Sequence, residues 1–164
     1  MTPVPIEETA VSLLKEHGLT VAAAESCTGG LLCAKIVNVA GASDVLNEGF
    51  ITYSNEAKMK HLGVGASTLE SHGAVSHECA AEMAAGLAER TGADAALSTT
   101  GIAGPGGGTK EKPVGLVYIG CCLFGNVTVK ELHLSGSREQ IRNEAAKEAL
   151  ELLVAEIKRH FSEK

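Results

Sequence analysis

The feature that most constrains this chain is a short apolar run that breaks into polar residues and two glycines. Val21–Ala24 leads into Glu25-Ser26-Cys27-Thr28-Gly29-Gly30, and the apolar run Leu31–Val39 follows. This order predicts a strand, a tight turn and a helix. The turn would then lie at the carboxyl end of the strand and the amino end of the helix. Unpaired N–H groups at such a helix end favour an anion or a developing oxyanion.

The turn alone does not identify a catalytic residue. A Ser or Thr before a helix is usually an N-cap, and Ser26 and Thr28 both fit that role. Ser26 lies in no G-x-S-x-G motif, because Ala24 and Thr28 occupy the flanking positions, so a nucleophilic Ser26 would need a base from elsewhere. Cys27 is a rival nucleophile, although a small buried thiol is the commoner role for cysteine.

Apolar periodicity and capping residues predict the remaining elements. Predicted helices cover Pro5–His17, Leu31–Val39, a short segment capped by Ser54 and ending before Gly63, Ser67–His72, Ser76–Arg90, and a last helix from the Ser137 capping box to about Lys158. Predicted strands cover Thr20–Ala24, Glu48–Tyr53, Asp94–Thr100, Val114–Phe124 and Val127–Leu134.

Strands alternate with helices over two thirds of the chain, and a strand pair with a closing helix follows. The short link Gly125-Asn126 predicts that this pair is an antiparallel hairpin. We therefore expect residues 1–164 to form a single α/β domain of three layers. It would have a mixed sheet with helices on both faces, a C-terminal β-hairpin and a closing helix.

Composition narrows the classes of function. The net charge of -6 and the lack of a basic run argue against nucleic acid as a partner. The N-terminus has no signal-peptide pattern and no apolar stretch reaches membrane-spanning length, so we expect a cytoplasmic protein with no membrane partner. Five cysteines without a CxxC, and six scattered histidines, predict neither a disulfide framework nor a metal site.

Three predicted strands end in small polar or glycine-containing turns. These are the Ser26 turn, Tyr53-Ser54-Asn55 and Thr99-Thr100-Gly101. Ligands of open α/β sheets bind beyond the carboxyl ends of the strands, so parallel neighbours would bring these turns to one pocket. Lys58 follows one of them and is a candidate base if its pKa is lowered. The alternative is a solvated helix lysine, like Lys60.

Two further segments could contact a ligand. The loop Gly101–Pro113 matches neither a P-loop nor G-x-G-x-x-G, and it is either a flexible loop or a lid over substrate. Arg138 and Arg142 share one face of the last helix near its start. They would suit a phosphate, or they would form ion pairs with Glu139 or Glu144.

Taken together, the motifs resemble the C-terminal domain of the CinA family, the nicotinamide-nucleotide amidases. The resemblance covers about Ile6–Leu153 and rests on an ordered series of segments. They are Ala24–Gly30 (AESCTGG), Gly49–Lys58 (GFITYSNEAK), His72–Ser76 (HGAVS), Thr100–Gly107 (TGIAGPGG) and Lys112–Gly115 (KPVG).

This resemblance implies hydrolysis of nicotinamide mononucleotide to nicotinate mononucleotide and ammonia, with a serine nucleophile and without metal or other cofactor. By motif, Ser26 would be the nucleophile and Lys58 the base, with Tyr53 close to both. The implied substrate-binding residues are Glu25, Cys27, Thr28, Gly29, Gly30, Thr100, Gly101, Arg138 and Arg142. Glu25 would orient the turn, and the two arginines would bind phosphate.

Other functions fit the same residues. One alternative is a non-catalytic nucleotide-binding or competence- and damage-related regulatory module that uses the same pocket without turnover. Another is an amidase whose nucleophile is Cys27. The Ala- and Gly-rich faces and the family resemblance also favour a homo-oligomer.

Overall fold

The computed structural model describes residues 2–162, whose strands form a five-stranded sheet in the order β2-β1-β3-β4-β5. The strands are β1 Val21–Glu25, β2 Leu46–Ile51, β3 Ala95–Gly101, β4 Leu116–Leu123 and β5 Asn126–His133. The helices are α1 Ile6–Glu16, α2 Leu31–Val37, α3 Asn55–Leu62, α4 Ala66–His72, α5 His77–Thr91 and α6 Arg138–Ser162. A single 3-10 turn, Ala42–Asp44, precedes β2.

The sheet is mixed. Strand β1 runs parallel to both β2 and β3, while β3–β4 and β4–β5 are antiparallel. Parallel neighbours bring the carboxyl ends of β1, β2 and β3 to one edge, which confirms the predicted convergence of their three turns. The α/β class, the mixed sheet, the hairpin and the closing helix are confirmed as well.

Side-chain alternation along the strands separates two apolar layers. On one face, Val21 and Ala23 of β1 pack with α1, α2 and α6. On the other, Ala22 and Ala24 pack with residues of α3 and α5. The small alanines of β1 are fully buried on both faces, so helices can approach the centre of the sheet closely from either side.

Helix starts follow the predictions. Ser54 and Ser76 cap α3 and α5, each with its hydroxyl accepting from the backbone N–H three residues on. Ser137 and Gln140 form the predicted reciprocal capping box of α6. The inward face of α6 is buried along its length, at Ile141, Ala145, Ala149, Leu152, Leu153 and Ile157.

Several boundaries differ from the predictions. Strand β2 begins at Leu46 and ends at Ile51, two residues earlier than expected at each end. It begins early because Leu46 pairs with Val21, and the register then shifts at Asn47, the extra residue of a bulge in β2. The hairpin turn is Phe124-Gly125 rather than Gly125-Asn126, because Asn126 pairs with Leu123. Phe124 and Gly125 have φ of 48° and 82°, as a two-residue hairpin turn requires.

Within residues 2–162, no helix combines the length and the hydrophobicity needed to span a bilayer.

Candidate active site

Side chains along β1 point alternately to the two faces of the sheet, and this alternation places Glu25 and the following Ser26 on opposite faces. Glu25 lies on the side of Val21 and Ala23, and reaches the first turn of α2. Ser26 lies on the opposite side, toward α3, where its Oγ contacts Lys58. The backbone N–H of Ser26 donates to the carbonyl of Thr99 at 3.1 Å, so the neighbouring strand β3 fixes the turn.

Lys58 is buried, not solvated. Its residue is 1% exposed, and it lies one turn before the buried Leu62, on the inward face of α3. Lys60, two residues on, is exposed as expected for the outward face. The spacing of an amphipathic helix therefore explains why one lysine of this pair lies inside.

The amino group of Lys58 has three oxygen neighbours. Its Nζ lies 3.0 Å from Ser26 Oγ, 2.9 Å from the carbonyl oxygen of Thr52 and 3.1 Å from that of Tyr53. A neutral amine in this position donates its two N–H groups to the carbonyls and directs its lone pair at the serine hydroxyl. Burial lowers the pKa of Lys58 because the charged form loses its hydration, which favours that neutral state.

The Ser26 turn is fixed by a buried carboxyl group. Glu25 is 0% exposed, and its Oε1 accepts hydrogen bonds from Thr28 Oγ1 (2.6 Å) and the Leu32 N–H (2.7 Å). Its Oε2 accepts from the Cys33 N–H at 3.0 Å. The first amides of α2 are therefore bonded to Glu25 itself, rather than free for an external anion. These hydrogen bonds link Glu25 to Thr28 and to the start of α2, and its role in orienting the turn stays a prediction.

The remaining residues of the turn also have defined contacts. Thr28 is buried, with its hydroxyl 2.8 Å from Thr99 Oγ1, so its side chain supports the turn rather than facing a ligand. Gly29 and Gly30 have φ of 56° and 105°, a region that disfavours other residues. They reverse the chain from Ser26 into α2.

Cys27 is a poor nucleophile in this environment. It is buried, and burial raises the pKa of its thiol to about 11. A thiol with that pKa remains protonated near neutral pH, whereas thiol nucleophiles react as thiolates. The geometry therefore favours the buried-thiol interpretation of Cys27 over the rival nucleophile.

The two arginines of α6 have different surroundings. Half-buried Arg142 donates from Nε to the Cys27 carbonyl at 3.0 Å and from Nη2 to the Thr28 carbonyl at 2.8 Å. Exposed Arg138 donates from Nη1 to the Gly104 carbonyl at 2.7 Å and from Nη2 to the Tyr53 hydroxyl at 3.2 Å. Neither arginine forms an ion pair with Glu139 or Glu144.

Tyr53, Thr100 and Gly101 lie at the same edge with different contacts. The Tyr53 carbonyl accepts a hydrogen bond from Lys58, while the residue as a whole is 61% exposed and its hydroxyl accepts from Arg138. The Thr100 hydroxyl donates to the Ala74 carbonyl, which joins β3 to the segment before α5. A side chain at Gly101 would lie within 3 Å of Val117 and Leu116, so this glycine allows β3 and β4 to pair closely.

The glycine loop between β3 and β4 is tied to its surroundings. Arg138 holds the carbonyl of Gly104, and Lys112 Nζ donates to the carbonyl of His72. Residues 105–110 are exposed. The loop therefore has fixed ends and an exposed centre.

Some residues of this edge were assigned no role in the site from the sequence. Thr99 contacts both Ser26 and Thr28. The three consecutive hydroxyl residues Ser98-Thr99-Thr100 in a buried strand could have indicated that this strand contributes to the site. Thr52 is fully buried, and its hydroxyl has no partner among residues 2–162. Thr52 and Tyr53 contact Lys58 through their backbone carbonyls, which every residue has, so the sequence could not predict these contacts.

No group of three or more His, Cys, Asp and Glu side chains in the described part of the chain is arranged to hold a metal ion.

Comparison with known proteins identifies the family. The family model "CinA C-terminal domain" matches residues 4–157. A CinA-like protein of Kosmotoga olearia is 59% identical over 148 residues, which are 90% of this chain and 36% of that protein. The chain thus spans little more than a third of the length of this curated relative.

Solved structures agree with this assignment. The crystal structure of competence/damage inducible protein CihA from Agrobacterium tumefaciens is 45% identical with a TM-score of 0.89 and covers 94% of this chain and 97% of that one. The competence damage-inducible protein A from Klebsiella pneumoniae is 34% identical with a TM-score of 0.90 and covers 93% and 94%. The chain therefore belongs to the CinA C-terminal domain family.

Proposed function

We propose that this chain is a serine amidohydrolase that converts nicotinamide mononucleotide to nicotinate mononucleotide and ammonia. The observation that carries the proposal is the buried pair of Ser26 and Lys58, with 3.0 Å between Oγ and Nζ. A hydroxyl is a weak nucleophile until a nearby base takes its proton. A desolvated lysine held by two carbonyls can supply that base.

The acylation step follows from this pair. Ser26 Oγ attacks the carboxamide carbon while its proton passes to neutral Lys58 Nζ. The resulting ammonium group of Lys58 returns the proton to the amide nitrogen, and the C–N bond breaks. Ammonia leaves, and the nicotinoyl mononucleotide remains esterified to Ser26. In the second step, Lys58 accepts a proton from the water that attacks the ester. Lys58 then returns this proton to Ser26 Oγ as the ester bond breaks, which releases nicotinate mononucleotide and restores the Ser26 hydroxyl and neutral Lys58.

The tetrahedral intermediate needs hydrogen-bond donors for its oxyanion. We assign this role to the backbone N–H groups that follow Ser26, at Cys27 and Thr28. Neither N–H donates a backbone hydrogen bond among residues 2–162. They belong to the turn that Glu25 and Arg142 fix, so they would be oriented before substrate binds.

Arg138 is the proposed contact for the substrate phosphate. It is exposed at the mouth of the site, and the carbonyl and hydroxyl it now contacts are neutral acceptors. A phosphate would offer the same guanidinium a charged, bidentate partner. The exposed ring of Tyr53 lies beside it and could pack against the pyridine ring.

Ammonia release from nicotinamide mononucleotide, measured with chelator-treated protein, tests the proposal. Ser26→Ala is expected to lower turnover by roughly 10³-fold or more, since residual rates in such variants come only from the oxyanion site and substrate binding. Cys27→Ala is the matched control in the neighbouring position and should keep most of the activity. Turnover that survives Ser26→Ala, or disappears with Cys27→Ala in a folded protein, would contradict the mechanism.

A non-catalytic nucleotide-binding module gives a different pattern. Nicotinamide mononucleotide would then raise the melting temperature of the wild type by binding to the native state, and no ammonia would form. Activity in the wild type excludes this alternative. A ligand-dependent shift with no ammonia would support it.

A further inference from the structure

We infer that Arg142 is a positioning residue for the nucleophile turn rather than a ligand for the substrate phosphate. The inference rests on the proposed function of Ser26. Its basis is the pair of hydrogen bonds from Arg142 Nε and Nη2 to the consecutive carbonyls of Cys27 and Thr28. These carbonyls directly follow the proposed nucleophile.

The guanidinium is held firmly in this position. Arg142 follows Ile141, which is 1% exposed, and it precedes Ala145 and Ala146, which are fully buried. The helix α6 is thus anchored in the core on both sides of Arg142. A Cβ at Gly29 would lie 3.4 Å from Nη2, so the turn also packs closely on the guanidinium.

Peptide planarity connects these bonds to the reaction. The carbonyl of Cys27 and the N–H of Thr28 share one peptide unit and point in opposite directions. By holding the Cys27 carbonyl toward α6, Arg142 directs the Thr28 N–H away from α6. Arg142 thereby fixes the orientation of an amide that the mechanism assigns to the oxyanion, and with it the backbone that carries Ser26.

Arg138 supplies the contrast within the same helix. It lies one turn earlier and is exposed, and its acceptors are the Gly104 carbonyl of the glycine loop and the hydroxyl of exposed Tyr53. Arg142, in contrast, is half-buried and donates two hydrogen bonds to the nucleophile turn. The two arginines, which look equivalent in sequence, therefore have separable effects: Arg138 on substrate binding and Arg142 on the reactivity of Ser26.

Labelling of Ser26 by a fluorophosphonate probe tests this without the substrate phosphate. Ser26 Oγ forms a bond to phosphorus, fluoride leaves, and the serine proton passes to Lys58. Arg142→Gln is expected to slow labelling at least tenfold and to lower kcat for nicotinamide mononucleotide with KM within threefold. Arg142→Lys, which can keep one of the two bonds, should be intermediate. Arg90→Gln, on exposed α5 surface, is the matched control.

The outcomes separate the inference from the proposed function. If Arg142→Gln labels at the wild-type rate and only KM rises, Arg142 is a phosphate ligand and the inference fails. If the wild type is labelled at Ser26 but releases no ammonia, the amidase proposal fails while the labelling comparison still decides the role of Arg142. Thermal melting of each variant shows whether a slow rate reflects unfolding, and Arg142→Lys then remains as the second test.

Discussion

The Ser26 turn and the glycine loop follow neighbouring strands at one edge of the sheet, yet they are built differently. The turn after β1 is buried and bonded by side chains from three directions: Glu25 within it, Thr99 from β3 and Arg142 from α6. The loop after β3 is exposed over residues 105–110 and held at its ends by Arg138 and Lys112. The segment with the proposed nucleophile is therefore fixed by buried contacts, whereas the centre of the loop is exposed.

The difference predicts that changes within the turn affect stability and catalysis together. Glu25→Gln keeps the size and shape of the side chain but replaces one carboxylate oxygen with an NH₂ group. This NH₂ group would face the backbone N–H of Leu32 or Cys33, so that two donors would meet. Since a buried donor is then left without an acceptor, we expect a loss of about 2 kcal/mol in the free energy of unfolding. Urea denaturation measures this loss of stability. We also expect kcat to fall, because the same turn carries Ser26. An unchanged midpoint would show that the turn is not fixed by Glu25.

A change at Arg138, which contacts the glycine loop and Tyr53 but is not part of the turn, should affect substrate binding alone. Arg138→Gln removes the proposed phosphate contact, and we expect KM for nicotinamide mononucleotide to rise roughly tenfold with kcat nearly unchanged. Steady-state kinetics measure this. A loss confined to kcat would assign Arg138 to the fixed turn and would remove the contrast with Arg142.

The smallest effects are expected in the centre of the loop. A Cβ at Gly106 meets nothing within 4 Å and the residue has no positive φ, so Gly106→Ala should change stability by less than about 0.5 kcal/mol. The neighbouring Gly107 has φ of 85°, and Gly107→Ala should cost about 1 kcal/mol. Equal and large losses in both variants would show that the loop is as constrained as the turn.

Sequence patterns predicted the parts of this molecule that depend on local chemistry. The capping box of α6 and the Ser54 cap of α3 were predicted from residue type and spacing, and both are present. The sequence did not show that β1, β2 and β3 are parallel neighbours. Because they are, the turns after β1 and β2 lie side by side, and Ser26 contacts Lys58. Lys58 could be placed inside because Leu62 lies one turn away on the same face.

Other contacts depend on distances that no local pattern encodes. Arg142 lies 114 positions beyond Thr28 and is indistinguishable from Arg138 in spacing arguments, so only the fold separates their roles. The carbonyls of Thr52 and Tyr53 contact Lys58 through atoms that every residue has. Oligomeric assembly involves surfaces between chains, and the homo-oligomer stays a prediction.

The central claim, that buried Lys58 is the base for Ser26, is tested most directly by the pH dependence of kcat/KM for nicotinamide mononucleotide. This parameter reports ionisations of the free enzyme. Because burial lowers the pKa of Lys58, the neutral form should appear at a pH below 10.5, the ordinary pKa of a lysine. We predict that kcat/KM rises with pH to a plateau with its midpoint below 10.5, and that Lys58→Arg, which stays protonated, is inactive. A midpoint at or above 10.5, or an active Lys58→Arg variant, would contradict the account.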